Sequence, residues 1–227
     1  MPIDAVIFDY GKVLSNPEDP EVQRKLVALA GLERPDFDDF YWRHRNAYNQ
    51  GHLNGRAYWE NIADDAGCSF TSEQIEVLIE ADVLMWTSLN EEMLCWVIAL
   101  QEANIKTAIL SNMCEDCLAY MHQEFEWLGR LQQLTWSCEL GICKPDPAIY
   151  LHTCGKLKVA PQQALFLDDH YRRGPGRSES HSVRERRTTA AGPQRTWPAG
   201  GAASTGHRFG LPAGSPRKAD VVKQGMF

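Results

Sequence analysis

Residues 3–11 read Ile3-Asp4-Ala5-Val6-Ile7-Phe8-Asp9-Tyr10-Gly11, a short apolar, β-rich run that stops at an aspartate and a glycine. Such a run, bounded by turn residues, reads as a buried strand running into a loop. Two more runs of the same kind lie downstream. Lys106-Thr107-Ala108-Ile109-Leu110 leads into Ser111-Asn112, and Ala164-Leu165-Phe166-Leu167 leads into Asp168-Asp169. Open α/β sheets bind ligands outside the carboxyl ends of their strands. Three apolar strands that each end in polar side chains therefore predict one shared site.

Working outward, the stretch between the first two strands reads as helices, over residues 21–29, 37–47, 56–66, 71–86 and 91–103. The fourth is the clearest: Ile75, Leu78, Ile79 and Val83 recur at helical spacing, and Thr71 with Gln74 three residues on forms a capping box. The order strand, helical insert, helix, strand suits a Rossmann-like parallel α/β core carrying an inserted helical cap. The expected division is a core of residues 1–15 and 90–170, a cap of residues 16–89, and a tail of residues 171–227.

The chain has 227 residues, 44% of them hydrophobic and 23% charged, enough for one core of ordinary size or a core with a smaller insert. No apolar run approaches the roughly 20 residues of a membrane span. The N-terminus shows neither a basic segment nor an apolar stretch that would read as an export signal. Seven cysteines, an odd number, then read as reduced thiols in a cytoplasmic protein. The net charge of −7 averages two unlike segments. Residues 171–227 hold 11 Lys+Arg against 3 Asp+Glu, a net of +8, so the first 170 residues carry −15. That tail has only 6 Leu, Ile, Val or Phe in 57 residues, too few to offset its ordering entropy, and is expected to be disordered without strand or helix. Arg184, Arg186 and Arg187 are its densest basic cluster, but no motif or stacking pattern accompanies them, which argues against a nucleic-acid partner.

The polar strand ends carry a coherent chemistry. Asp9 is placed to attack phosphorus in line and form an acyl-phosphate. Ser111, Asn112 and Lys144, the last in the turn-rich segment Gly141-Ile142-Cys143-Lys144-Pro145-Asp146-Pro147, are candidates to hold the phosphoryl oxygens. Asp9 with Asp168 and Asp169 offers carboxylates to Mg²⁺, a hard cation that takes few of them and keeps several waters. Cys114-Glu115-Asp116-Cys117 forms a CxxC, read as two thiols on a helix rather than a zinc or redox centre. Trp59, Trp86 and Trp96 fall in helical stretches and read as packing residues.

DYGKVL after an apolar strand, LSN, CKPDPAIY and FLDD follow one another in the order of the four motifs of the haloacid dehalogenase superfamily. The chain resembles that family over residues 1–170, and in particular its branch with a small helical cap, which includes sugar-phosphate phosphatases such as glucose-1-phosphate phosphatase. The resemblance implies Asp9 as nucleophile, Ser111 as the second-motif hydroxyl, Lys144 as the third-motif lysine, Asp168 and Asp169 as the metal-holding acids, and Mg²⁺ as cofactor. The substrate it implies is a small phosphate ester bound beneath the cap, where Tyr41, Trp42, Arg43, His44 and Arg45 form a polar-aromatic cluster.

Two departures from the pattern stand out. Most phosphatases of the family carry an acid/base aspartate two residues after the nucleophile, where this chain has Gly11, whose backbone carbonyl remains as a metal ligand. After Asp169 the sheet-closing helix and strand of the family give way to Tyr171-Arg172-Arg173-Gly174-Pro175-Gly176, a composition that suits out-of-frame translation of GC-rich DNA. That replacement leaves the strand before Asp168 as an expected exposed edge. A dehalogenase-type hydrolase using Asp9 on carbon, and an inactive truncated or frameshifted family member, are the alternatives to the phosphatase. The acidic pair favours phosphate over a haloacid.

Overall fold

The computed structural model describes residues 2–169 and the backbone of residues 224–225. Its centre is a sheet ordered β3-β2-β1-β4-β5. β1 (Ala5–Phe8), β2 (Lys106–Ser111), β3 (Gln133–Trp136) and β4 (Ala164–Leu167) run parallel. The pleat sorts their side chains by alternation. Val6, Phe8, Ile109 and Leu167 enter one core cluster, whereas Ala5, Ile7, Ala108, Leu110, Ala164 and Phe166 enter another. Both faces are therefore covered, which is why the strands read as continuous apolar runs. The first face meets α5 (Glu91–Glu102) and α6 (Glu115–Glu124) through Leu94, Val97, Leu118 and Met121. After the single turn α7 (Ser137–Leu140), α8 (Pro147–Leu157) covers the second face through Ile149, Cys154 and Leu157.

Between β1 and α5 lie α1 (Pro20–Ala30), α2 (Arg34–Asn49), α3 (Gly55–Asp65) and α4 (Ser72–Met85). The expected capping box of Thr71 and Gln74 is present at the start of α4. Phe37, Tyr41, Arg45 and Tyr48 share the buried face of α2, at the spacing of successive helical turns. Tyr48 stacks on Tyr58 of α3, with ring centroids 4.4 Å apart, and Trp59 is wholly buried beside Tyr58. The chain enters and leaves this helical layer at one crossing: Ser15 bridges Leu89, the Asn16 amide donates to the Leu89 carbonyl at 2.9 Å, and the Asn90 backbone N–H donates to the Leu14 carbonyl at 2.8 Å.

Two features correct the sequence reading. β3 is a fourth strand that residues 131–136 did not announce, because its short polar-apolar mixture is that of a sheet edge. The expectation of a tail without strands fails at Gln224–Gly225, which forms β5, antiparallel to Phe166 and Leu167. Strand pairing satisfies backbone groups alone, so two residues of any composition can cover part of an open edge. The expected disorder of residues 171–223 and 226–227 lies outside the described residues. No helix among the described residues is long and apolar enough to cross a membrane.

Candidate active site

Register brings the expected residues together. Phe8 pairs with both Ile109 and Leu167, so Asp9 and Asp168 leave adjacent strands at the same level, and Ser111 ends the strand on the other side of β1. The Asp9 backbone N–H donates to the Leu167 carbonyl at 2.8 Å, fixing the two strand ends to each other. Asp9 Oδ1 accepts from the Tyr10 N–H at 2.8 Å and from Ser111 Oγ at 2.7 Å. These two donors hold the carboxylate in one orientation. Its other oxygen meets Lys144 Nζ at 2.8 Å, and the same ammonium lies 2.9 Å from Asp168 Oδ2.

Asn112 also holds the turn that carries Lys144. Its Oδ1 accepts from the Lys144 N–H at 2.7 Å and its Nδ2 donates to the Lys144 carbonyl at 3.1 Å. The side-chain amide thus ties the lysine-bearing turn to the end of β2 while Asn112 lines the cavity.

Burial raises the Asp9 carboxyl above its ordinary range; Lys144 pulls it back and the Asp168 carboxylate lifts it again, and the net direction is upward. Burial alone would lower the Lys144 ammonium, but Asp9 and Asp168 outweigh it and hold the lysine protonated. Asp9, Asp168 and Asp169 each present a carboxylate oxygen, all within 4.8 Å of one another. The three carboxylates lie beside the Lys144 ammonium, and an all-oxygen cluster of this kind fits a hard divalent cation. Among the described residues it is also the one grouping of three or more potential metal ligands. The cysteines form no such cluster; all seven are free thiols. Gly11 lines the same cavity and brings no side chain to it.

The cavity has a volume of about 510 Å³ and reaches from this carboxylate cluster to α2 and Trp86. Of the five aromatic and basic residues expected to face it, Trp42 and Arg45 line it. Arg43 and His44 turn outward to Asp65, at 2.9 and 2.8 Å. Tyr41 is buried beneath, its hydroxyl donating to Asp82 Oδ1 at 2.6 Å. A helix turns about 100° per residue, so five consecutive residues cannot share one face. Trp86, read as a packing residue, lines the cavity, as does Cys117 of the CxxC. Asn46 and Asn49 line it too, and sequence reasoning missed both; their spacing of four and three residues from Trp42 and Asn46 is the signal that one helix face carries them all.

A family model described as haloacid dehalogenase-like hydrolase matches residues 3–176. The chain belongs to that hydrolase family. Curated relatives cover part of it: the bifunctional epoxide hydrolase 2 of Mus musculus is 35% identical over 88 residues, 36% of this chain, and that of Sus scrofa is 30% identical over 111 residues, 47% of this chain. The matched stretches span only 16% and 20% of those proteins. Among solved structures, a HAD family enzyme of Bacteroides thetaiotaomicron superposes with a TM-score of 0.61 at 16% identity, over 75% of this chain and 86% of that one. That enzyme has also been solved, as an aspartate-to-alanine mutant, in complex with magnesium and inorganic phosphate. An L-2-haloacid dehalogenase superposes with a TM-score of 0.54 at 18% identity, over 73% of this chain and 78% of that one. At these identities the likeness is one of fold. It places the haloacid dehalogenase-like fold beside both phosphate-binding and dehalogenating relatives.

Proposed function

We propose that this haloacid dehalogenase-like hydrolase is a Mg²⁺-dependent phosphatase acting on a small phosphate monoester. The observation that carries the reading is the approach of the Asp9, Asp168 and Asp169 carboxylates to within 4.8 Å of one another beside Lys144. A nucleophile working on carbon needs no such cluster of carboxylates. Bound there, Mg²⁺ would neutralise the carboxylates and the phosphoryl oxygens. Asp9, Asp168, Asp169 and the Gly11 carbonyl are the groups assigned to hold it.

In this reading the Asp9 carboxylate attacks phosphorus, the ester oxygen leaves with its electron pair, and an aspartyl-phosphate forms on Asp9. Ser111 and Lys144 fix the attacking carboxylate and stabilise the phosphoryl oxygens. Gly11 supplies no acid, so the departing alkoxide takes its proton from water. A second water cleaves the acyl-phosphate, returning Asp9 and inorganic phosphate. Residues 1–15 and 90–170 are assigned as core and residues 16–89 as a helical cap that closes the alcohol end of the cavity. The seven free thiols support a place in the reducing cytoplasm.

The test is turnover of a phosphate-ester panel with Mg²⁺ and with EDTA, beside Asp9→Asn. The expected result is metal-dependent phosphate release that falls by at least about a thousandfold in Asp9→Asn. Metal-independent halide release from 2-haloacids would assign the dehalogenase reading, which the likeness to an L-2-haloacid dehalogenase keeps in view. Silence on every substrate, with a broad melt, would assign an inactive family member.

A further inference from the structure

The cavity lining carries information about the alcohol. Among the described residues three cationic side chains line the cavity, and each is paired with a carboxylate. Lys144 serves Asp9 and Asp168, Lys12 Nζ lies 2.8 Å from Glu18, and Arg45 lies 2.6 Å from Asp82. The last pair is the most enclosed, with side chains 8% and 0% exposed. Tyr41 completes it, donating to Asp82 at 2.6 Å and accepting from Arg45 at 2.8 Å. Drawing Arg45 towards a second anion on a substrate would strand Asp82 in the interior without a counter-charge, which is strongly unfavourable. A second anion on a substrate would have to share Lys12 or Arg45 with the carboxylate that each already pairs.

The lining also offers aromatic surface. Trp42 is 53% exposed although it lines the cavity, and Trp86 also lines it. The Trp42 indole is held edge-on against Tyr41, with centroids 5.0 Å apart at 85°. More than half exposed, the indole keeps surface for a ligand. Indole surface at a cavity is well suited to packing a flat ring.

We infer that the alcohol part of the substrate is uncharged and carries a planar ring that packs on Trp42, and that the site discriminates against esters bearing a second anionic group. This rests on the phosphatase reading above. The test uses the full chain with Mg²⁺ and compares benzyl phosphate with 2-phosphoglycolate, both phosphates of primary alcohols. kcat/KM is expected to favour benzyl phosphate by at least about tenfold. Trp42→Ala erases most of that ratio, chiefly through KM of the benzyl ester. Asp82→Asn, which releases Arg45, shifts the ratio towards phosphoglycolate. Should Asp82→Asn fail to fold, the exposed Trp42→Ala carries the test alone. Equal or better turnover of phosphoglycolate by the unaltered chain, or an unchanged ratio in Trp42→Ala, overturns the inference. If no ester turns over, the phosphatase reading falls. Tryptophan-fluorescence titration with phenylphosphonate and phosphonoacetate then decides the inference separately. Tighter binding of the ring-bearing anion, weakened in Trp42→Ala, upholds it, and equal binding of the two overturns it.

Discussion

Asp82 sits in the interior with its charge met by Arg45 and its second oxygen by Tyr41. The guanidinium also lies 5.0 Å from the Tyr41 ring centroid and 5.3 Å from that of Tyr48, so aromatic faces surround the pair. Replacing one partner leaves the other buried and unpaired, and Asp82→Ala is expected to cost about 3–5 kcal/mol in urea unfolding. Removing both charges removes the desolvation penalty as well. Arg45→Met combined with Asp82→Leu should therefore recover much of the loss, and a double-mutant cycle measures how much. A cycle with no coupling between the two positions would contradict the pairing. The partnership is invisible in the sequence, since 37 residues separate the two side chains and neither belongs to a motif. Asp9, Ser111 and Asp168 are readable there for the opposite reason: each ends an apolar run, and parallel register then sets them side by side. The engagement of Asn112 with Lys144 depends on how the segment before α8 folds back, which no local pattern encodes.

At the scale of elements, strong periodicity marks the helices that bury a stripe and turn residues mark where they stop. α2 extends to Asn49, two residues beyond its expected end, and the chain reverses through Gly51 before α3. Gly51 has φ +71°, and a Cβ placed on it would lie 2.8 Å from the Cys138 carbonyl oxygen. Both the left-handed backbone and the close approach exclude a side chain. Gly51→Ala should lower stability by about 2 kcal/mol or more, read as a shift in melting temperature. Asn46 and Asn49 on the last turns of α2 line the cavity, so ligand binding should weaken with it. An alanine variant as stable as the parent would show that this turn relaxes freely. β3 illustrates what periodicity cannot reveal. Its four residues are specified by the ladder to β2 and by the Gln132 side chain accepting from the Thr107 N–H at 2.6 Å, a non-local match.

Across the whole molecule, the sheet brings three acidic groups to one end, beside a cavity that residues of α2 also line. Burial is the largest cause of the upward direction of the Asp9 carboxyl, and the neighbouring Asp168 carboxylate adds to it. A cation bound only by the folded chain stabilises it by mass action, by about 2.7 kcal/mol when its concentration is a hundred times its dissociation constant. Thermal unfolding with increasing Mg²⁺ should therefore show a saturable rise in melting temperature that EDTA reverses. Asp169→Asn keeps the shape of the cluster but removes one of its charges. It should flatten the response to Mg²⁺, because the substitution removes one of the carboxylates assigned to hold the ion. A melting temperature insensitive to Mg²⁺ in the unaltered chain would mean that the cluster holds no metal that stabilises the fold.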